Sequence, residues 1–488
     1  MRVGVHASWF GFRASEAVVS TRIDRRLKSS AGNAPSPGAP PAPRPREKPL
    51  GAFGLLKGLR DNPITNWTRR HYEDGVVVTR SVIGVTCLVS DPAAIRHVLV
   101  DNAGNYHKGV LQTRVLRPGL GNGLLTAEGE SWRQQRRALA PAFTPRLIES
   151  FQPAMASAAE ALVGRWLSLE PGSRLDVARE MPHVTLEVLE RTIFSDGLAS
   201  EPATLAEAVT RYLDTLGRVH PFDALDLPAF LPRFGRKDGL DALGTFNGAI
   251  ERIIARRRAL LAQGLQAPRD LLALLLEAEA RAGGFGNDEV RANIATFIAA
   301  GHETTANALV WSLFLLSFAP RWRERVEAEV DEVLGEGDLA ACRLDRLVLT
   351  KAVLEEALRL YPPAAIISRQ PIGKDVIGGH EVDHRTRVVI SPWVLHRHRR
   401  LWQAPDDFDP TRFLPRARAE IDRFAYLPFG AGPRLCIGAA FALQEAIIVI
   451  AAIMRRFRLE LAPGHQVVPV QRVTLRPRGG LPMLLSRR

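Results

Sequence analysis

The chain has 488 residues, of which 46% are hydrophobic and 24% charged, and carries a formal net charge of +13. That length and balance support a large buried core and exclude wholesale disorder. The positive excess suits acidic partners, but it is mostly arginine scattered along the chain without interleaved aromatics, so no nucleic-acid partner is expected.

The first thirty residues set Arg2, Arg13, Arg22, Arg25, Arg26 and Lys28 against Glu16 and Asp24 and hold no apolar run long enough for a signal peptide. They read as a disordered leader of a cytoplasmic protein, with an Arg-rich organelle-targeting segment as the alternative. Residues 31–48 contain Pro35, Pro37, Pro40, Pro41, Pro43 and Pro45 and read as an extended linker. The expected division is therefore residues 1–48 as leader and linker and 49–488 as one folded unit. Cys87, Cys342 and Cys436 are far apart, which excludes a C-x-x-C metal site and a disulfide framework.

Alternation and β-branched content predict strands at Val76–Arg80 and Val82–Ser90. From Glu130 to Leu360 the pattern is mainly helical, and β-like segments return at Val376–Ile390 and near the C-terminus. The whole reads as a mainly α protein with a minor β region. One helix stands out between the capping residues Asn287 and Asp288 and the breaker Pro320. Its apolar run is interrupted by His302, Glu303, Thr304, Thr305 and Asn307, which leaves too little to cross a bilayer. No transmembrane segment is expected, and the helix reads as a buried central one with a polar cluster at its middle. Ala306 stands where a zinc-binding helix would place a second histidine after His302.

The strongest local signal is the run Phe429-Gly430-Ala431-Gly432-Pro433-Arg434-Leu435-Cys436-Ile437-Gly438. A glycine-rich loop brings Cys436 to the start of an apolar helix, roughly Ile437–Phe457. Unpaired N–H groups, the positive helix end and Arg434 all favour a thiolate there. Gly432 and Gly438 would let something flat and bulky approach. These residues alone fit a nucleophile, a metal ligand or an inert buried cysteine.

The pattern F-x-x-G-x-R-x-C-x-G resembles the haem-binding loop of the cytochrome P-450 family at every fixed position. By that resemblance Cys436 is the proximal ligand to a haem b iron, Phe429 packs near its sulfur and Arg434 contacts a propionate. Ala300-Gly301-His302-Glu303-Thr304-Thr305 resembles the family's oxygen-activation segment, which implies that Thr304 hydrogen-bonds dioxygen and Glu303 links it to solvent protons. Gly301 would leave room for a ligand. Glu356 and Arg359 lie where the family has its E-x-x-R helix, and Phe408–Phe413 resembles its F-x-P-x-R-F segment, so Glu356, Arg359 and Arg412 are expected to form a buried charged triad. Trp132 and Arg136 match W-x-x-x-R and would hold a propionate, with Arg369 and, on a looser alignment, His107 as further donors.

The resemblance implies a P-450 fold with haem between the central helix and the cysteine loop. It also implies a haem-thiolate monooxygenase that inserts one atom of dioxygen into a lipophilic small molecule. Electrons would come from NAD(P)H through a separate acidic ferredoxin or flavodoxin-type reductase, docked by basic residues such as Arg399, Arg400, Arg455 and Arg456. A monomer is expected. The alternatives are a peroxide-driven peroxygenase of the same fold, a haem protein that binds gas or transfers electrons without catalysis, and a cysteine-nucleophile enzyme.

Overall fold

The computed structural model describes residues 39–195, 202–215, 217, 219–225, 227, 237–266, 268, 270–281 and 284–488. The Arg-rich leader lies outside the described residues. Of the proline-rich segment, residues 39–48 run extended along the body: Pro40 is buried, and the Pro41 carbonyl accepts a hydrogen bond from the Tyr361 hydroxyl at 2.8 Å. Packing thus begins well before Leu50.

The protein is mostly helical, with the β structure gathered into small sheets. The largest is five-stranded, in the order Val76–Ser81, Gly84–Val89, Thr386–Ile390, Ile367–Pro371 and Tyr106–Lys108. The first two strands, both predicted, pair as an antiparallel hairpin tightened at Gly84, which has a φ of 94°. The strand Tyr106–Lys108 is too short to show alternation and was not evident from the residues alone.

The central helix runs Asn287–Phe318, 32 residues, or about 48 Å. Its start differs from expectation. Gly286 precedes the helix, and Glu289 closes the end by accepting the Gly286 N–H at 3.1 Å, while Asn287 and Asp288 sit in the first turn. An acidic first turn suits the positive helix end. The helix packs against Val177–Thr192, Val348–Leu360 and Ala439–Arg456. Several of its polar and aromatic residues tie other segments to it. Asn293 donates to Gln135 Oε1 at 3.1 Å and accepts the Leu124 N–H at 2.9 Å, which ties the Gly129–Leu139 helix and the preceding loop to it. Trp311 stacks on Tyr361 with ring centroids 4.0 Å apart and donates Nε1–H to the Leu475 carbonyl, which fixes the C-terminal hairpin of Pro469–Gln471 and Leu475–Pro477 beside the helix. Among the described residues no helix is long and apolar enough to cross a membrane.

The Glu356–Arg359 pair is fully buried. Arg359 Nε and Nη2 donate to the two carboxylate oxygens at 2.6 and 2.8 Å, and the remaining donors reach the carbonyls of His396, Pro405 and Asp407. All five guanidinium N–H groups are thereby used. Arg412 joins more loosely, with Nε 3.5 Å from Glu356 Oε1 and Nη2 donating to the Ala404 carbonyl. The basic run 396–400 is mostly interior. His396 is buried and neutral, accepting the Leu427 N–H at Nε2, with burial and then Arg359 pushing its pKa down to about 3. Arg397 lies 3.7 Å over the Trp393 ring. Arg359→Lys cannot reproduce the planar fork and is expected to cost about 3–5 kcal/mol by leaving Glu356 without its bidentate partner. Chemical denaturation would show this as a lower midpoint at unchanged slope.

Candidate active site

A cavity of about 380 Å³ lies between the central helix and the cysteine loop. Cys436 lies deep in the protein yet has free surface, and that surface opens into the cavity. Its loop is set by the backbone. The Cys436 N–H donates to the Phe429 carbonyl at 3.0 Å, and Gly430 and Gly432 have φ of 73° and 70°. A Cβ on Gly432 would sit 1.9 Å from the Leu99 carbonyl oxygen. This glycine is therefore required by the loop's own path beneath Leu99, not by a ligand. Room for a flat group comes instead from the row Gly438, Ala442 and Ala446, one turn apart on the Ala439–Arg456 helix and its cap, all lining the cavity. Burial pushes the Cys436 thiol up, while a Gly438 N–H and the Arg136 charge oppose that rise. The sequence assigned this electrostatic role to Arg434, but Arg434 is turned to Glu128.

The cations gather on one side. Arg434 donates to Glu128 Oε2 at 2.5 Å and to the Ala127 carbonyl, and its guanidinium lies 4.0 Å over the Trp132 ring. Arg136 and Arg369 line the same wall. His107 does not line the cavity; its ring packs on the Lys108 carbonyl. Lys108, one residue on, does. Neighbours along a strand face opposite sides, and Lys108 pairs directly across from Arg369. Burial, then Arg434 and Arg369, push the Lys108 pKa down to about 7, and its ammonium donates to the Leu125 carbonyl. Thus Lys108, Arg136, Arg369 and Arg434 line the cavity with the carboxylate of Glu128 beside them. Neither Lys108 nor Glu128 was singled out in the sequence. The Lys108 position became evident only through strand pairing.

On the opposite wall, Glu303 and Thr304 face the cavity. Thr304 donates to the Ala300 carbonyl at 2.6 Å, one turn back. Glu303 is buried; its Oε1 accepts from Thr474 at 2.7 Å and its Oε2 has no partner. Burial pushes this carboxyl up to about 7, against the opposing pull of the Thr474 hydrogen bond. Gly301 also lines the cavity, but a Cβ there would point at Leu189, 3.1 Å away. Its role is to let the Val177–Thr192 helix pack close. His302 faces away, buried, with both ring nitrogens unpartnered and burial pushing its pKa down to about 4. The rest of the wall is mostly apolar, including Leu116, Leu120, Leu124 and Ile366 and the stacked pair Phe143 and Phe297, whose centroids are 5.4 Å apart. Leu116 and Leu120 lie on the helix Val110–Leu120.

The donor set fits a haem. A cavity apolar on its faces has a thiol on one side, a row of small residues beside it and a surplus of buried positive charge at one edge, where two carboxylates would be neutralised. Among the described residues no three His, Cys, Asp or Glu side chains cluster to hold a metal ion, so a metal here would depend on a macrocycle for its other ligands.

The sequence matches the family model for cytochrome P450 over residues 43–482. The chain belongs to the cytochrome P450 family. Similar proteins include cyclooctatin synthase of Streptomyces melanosporofaciens, 35% identical over 79% of this chain and 83% of the relative. Cyclooctat-9-en-7-ol 5-monooxygenase of the same organism is 35% identical over 77% and 81%. Cytochrome P450 97B2, chloroplastic, of Glycine max is 31% identical over 82% and 79%. The protein is thus a P450 monooxygenase, an enzyme of haem and dioxygen that takes electrons from a redox partner and acts on a lipophilic substrate.

Three of the four basic residues expected to dock the electron donor have local partners. Arg399 pairs with Asp406 at 2.7 Å and Arg400 lies 3.9 Å from Asp74. Arg455 caps the carbonyls of Gly335 and Gly337 at the far end of the cysteine helix, about 25 Å from its start.

Gly432→Ala is expected to displace the cysteine loop, because the clash is with backbone. The measurement is haem content per mole of purified protein, which should fall several-fold.

Proposed function

We propose that this enzyme inserts one oxygen atom into a largely hydrocarbon substrate, with Cys436 as the thiolate ligand of haem b and Glu303 with Thr304 handling protons. The observation that carries this reading is the opposition of Cys436 to the Glu303–Thr304 pair across one apolar cavity. When bound, the haem supplies dioxygen activation, which thiolate ligation favours. The chain's own residues do the rest. Arg136, Arg369, Arg434 and Lys108 hold the propionates, with Trp132 stacked on Arg434. Phe429 closes the space beside the cysteine. Glu303, buried and raised to about 7, is able to hold or release a proton near neutral pH. Thr304 presents a hydroxyl one residue along. The apolar wall excludes water and favours a substrate with few polar groups, of the kind named in the cyclooctat-9-en-7-ol relative.

Electrons come from NAD(P)H by way of an acidic ferredoxin or flavodoxin-type protein. Its docking surface is the Gly129–Leu139 helix, where Arg133 and Arg137 are exposed and share the single carboxylate Glu130. The same helix carries Trp132 and Arg136 to the cavity. We place the enzyme in the cytoplasm as a monomer, with the Arg-rich first thirty residues as a leader and residues 31–48 as the linker to the folded body.

Three measurements follow. With labelled dioxygen, one labelled atom should enter product and one should appear in water; product oxygen drawn from solvent would contradict the reaction. Turnover should fall as pH rises through about 7, because a carboxyl raised to that value loses its proton there; this limb should be missing in Glu303→Gln, with more peroxide released per electron consumed. Reduction by an acidic donor should slow as salt rises, and charge reversal at Arg133 and Arg137 should remove most of that dependence.

A further inference from the structure

We propose that Thr474 is a positioning residue for Glu303: its hydroxyl, oriented by Asn307, fixes one carboxyl oxygen and leaves the other to carry the proton. This rests on the proton-handling reading of Glu303 given above.

The direction of each hydrogen bond can be derived. Asn307 Nδ2 lies 2.9 Å from the Glu303 backbone carbonyl, which only accepts, so the amide nitrogen must be the atom on that side. The same nitrogen lies 3.3 Å from Thr474 Oγ1 and can only donate to it. The Thr474 hydroxyl hydrogen is then left for Glu303 Oε1, 2.7 Å away. A donor on Oε1 makes that oxygen the poorer site for a proton. Oε2, buried and without a partner, is the better one.

Thr474 is itself held rigidly, although it follows a strand end near the C-terminus. The Leu475 N–H donates to the Pro363 carbonyl at 3.0 Å, and the Leu475 carbonyl accepts from Trp311 of the central helix. On the other side of the turn, the Gln471 N–H donates to Asn62 Oδ1 at 3.0 Å. The hairpin is therefore anchored to the same helix that carries Glu303. Both Thr474 and Glu303 line the cavity, so the clamp borders the reaction space.

The other charged groups near this stretch face elsewhere or stand farther off. His183 lies toward His302, on the opposite side of the helix. Glu445 of the cysteine helix, buried with its own carboxyl raised, faces Thr305. Glu356 and Arg359 bind each other. Arg476, on the strand after Thr474, stands 3.9 Å from Glu303 Oε1. The hydroxyl is thus the nearest polar group on the carboxyl and the one that orients it.

The test is infrared spectroscopy of the protonated carboxyl, with the Glu303 band assigned by its loss in Glu303→Gln. In Thr474→Val, of the same shape without the hydroxyl, the C=O band should move to higher wavenumber and its titration midpoint should rise by about one pH unit, because a donor that favours the charged form is gone. The alkaline limb of turnover should rise with it, and Thr474→Ser should restore both. Thr474→Ala supplies the same readouts if the valine variant does not fold. A band and midpoint unchanged in the valine or alanine variant overturn the proposal. A band that moves while the turnover limb stays fixed keeps the Thr474–Glu303 bond and overturns instead the proton-handling reading of Glu303.

Discussion

The position of Cys436 depends on one point of the backbone that tolerates no side chain. Gly432 passes so close beneath the Leu99 carbonyl that any Cβ would collide with it, and its positive φ turns the chain back toward the cavity. The Phe429 carbonyl then receives the Cys436 N–H, and the Ala439–Arg456 helix begins within three residues. Every later feature of the site is referred to this point. Small residues on that helix and its cap line the cavity beside the thiol, and the central helix lines it with Glu303 and Thr304.

Electrostatics make the site incomplete on its own. Four cationic side chains share one edge of the cavity, and burial lowers the pKa values of Lys108, Arg136, Arg369 and Arg434 alike. Such a cluster is costly without anions. Likewise, burial holds the thiol toward its neutral form. A group that brings two carboxylates and a metal cation would relieve both costs at once, and haem is such a group. The same dry interior acts oppositely at Glu303, where it favours the protonated acid. One apolar cavity therefore combines a cation-rich rim, a buried thiol and a raised carboxyl, all shaped by the same desolvation.

Much of this was readable in the sequence because the chemistry is carried by short contiguous runs. The cysteine loop, the Gly301–Thr305 cluster and the Glu356–Arg359 spacing each lie within a few residues, so each run carries the resemblance to the family from which its role was expected. The central helix was readable for its length and its nearly uniform apolar character. What escaped was set by pairing across the chain. Lys108 faces the cavity because a three-residue strand pairs with Ile367–Pro371, and no periodicity can be seen in so short a segment. Thr474 reaches Glu303 from 171 residues away, on a hairpin whose composition gives no sign of it. Gly301 and Gly432 were recognised as special, yet the reason differed: each accommodates a neighbouring part of the protein. The run 396–400 is dense in charge, yet His396, Arg397 and His398 are buried, with Arg397 over the Trp393 ring and the two histidines against backbone groups.

The central claim is that the Cys436 sulfur is bonded as a thiolate to haem iron. The most direct measurement is the absorption spectrum of the reduced protein with carbon monoxide, recorded for the natural sequence and for Cys436→His. The account predicts the strongly red-shifted Soret band of thiolate ligation in the first, and loss of that shift in the second while the cationic rim still retains haem. The same red-shifted band in both proteins would contradict it.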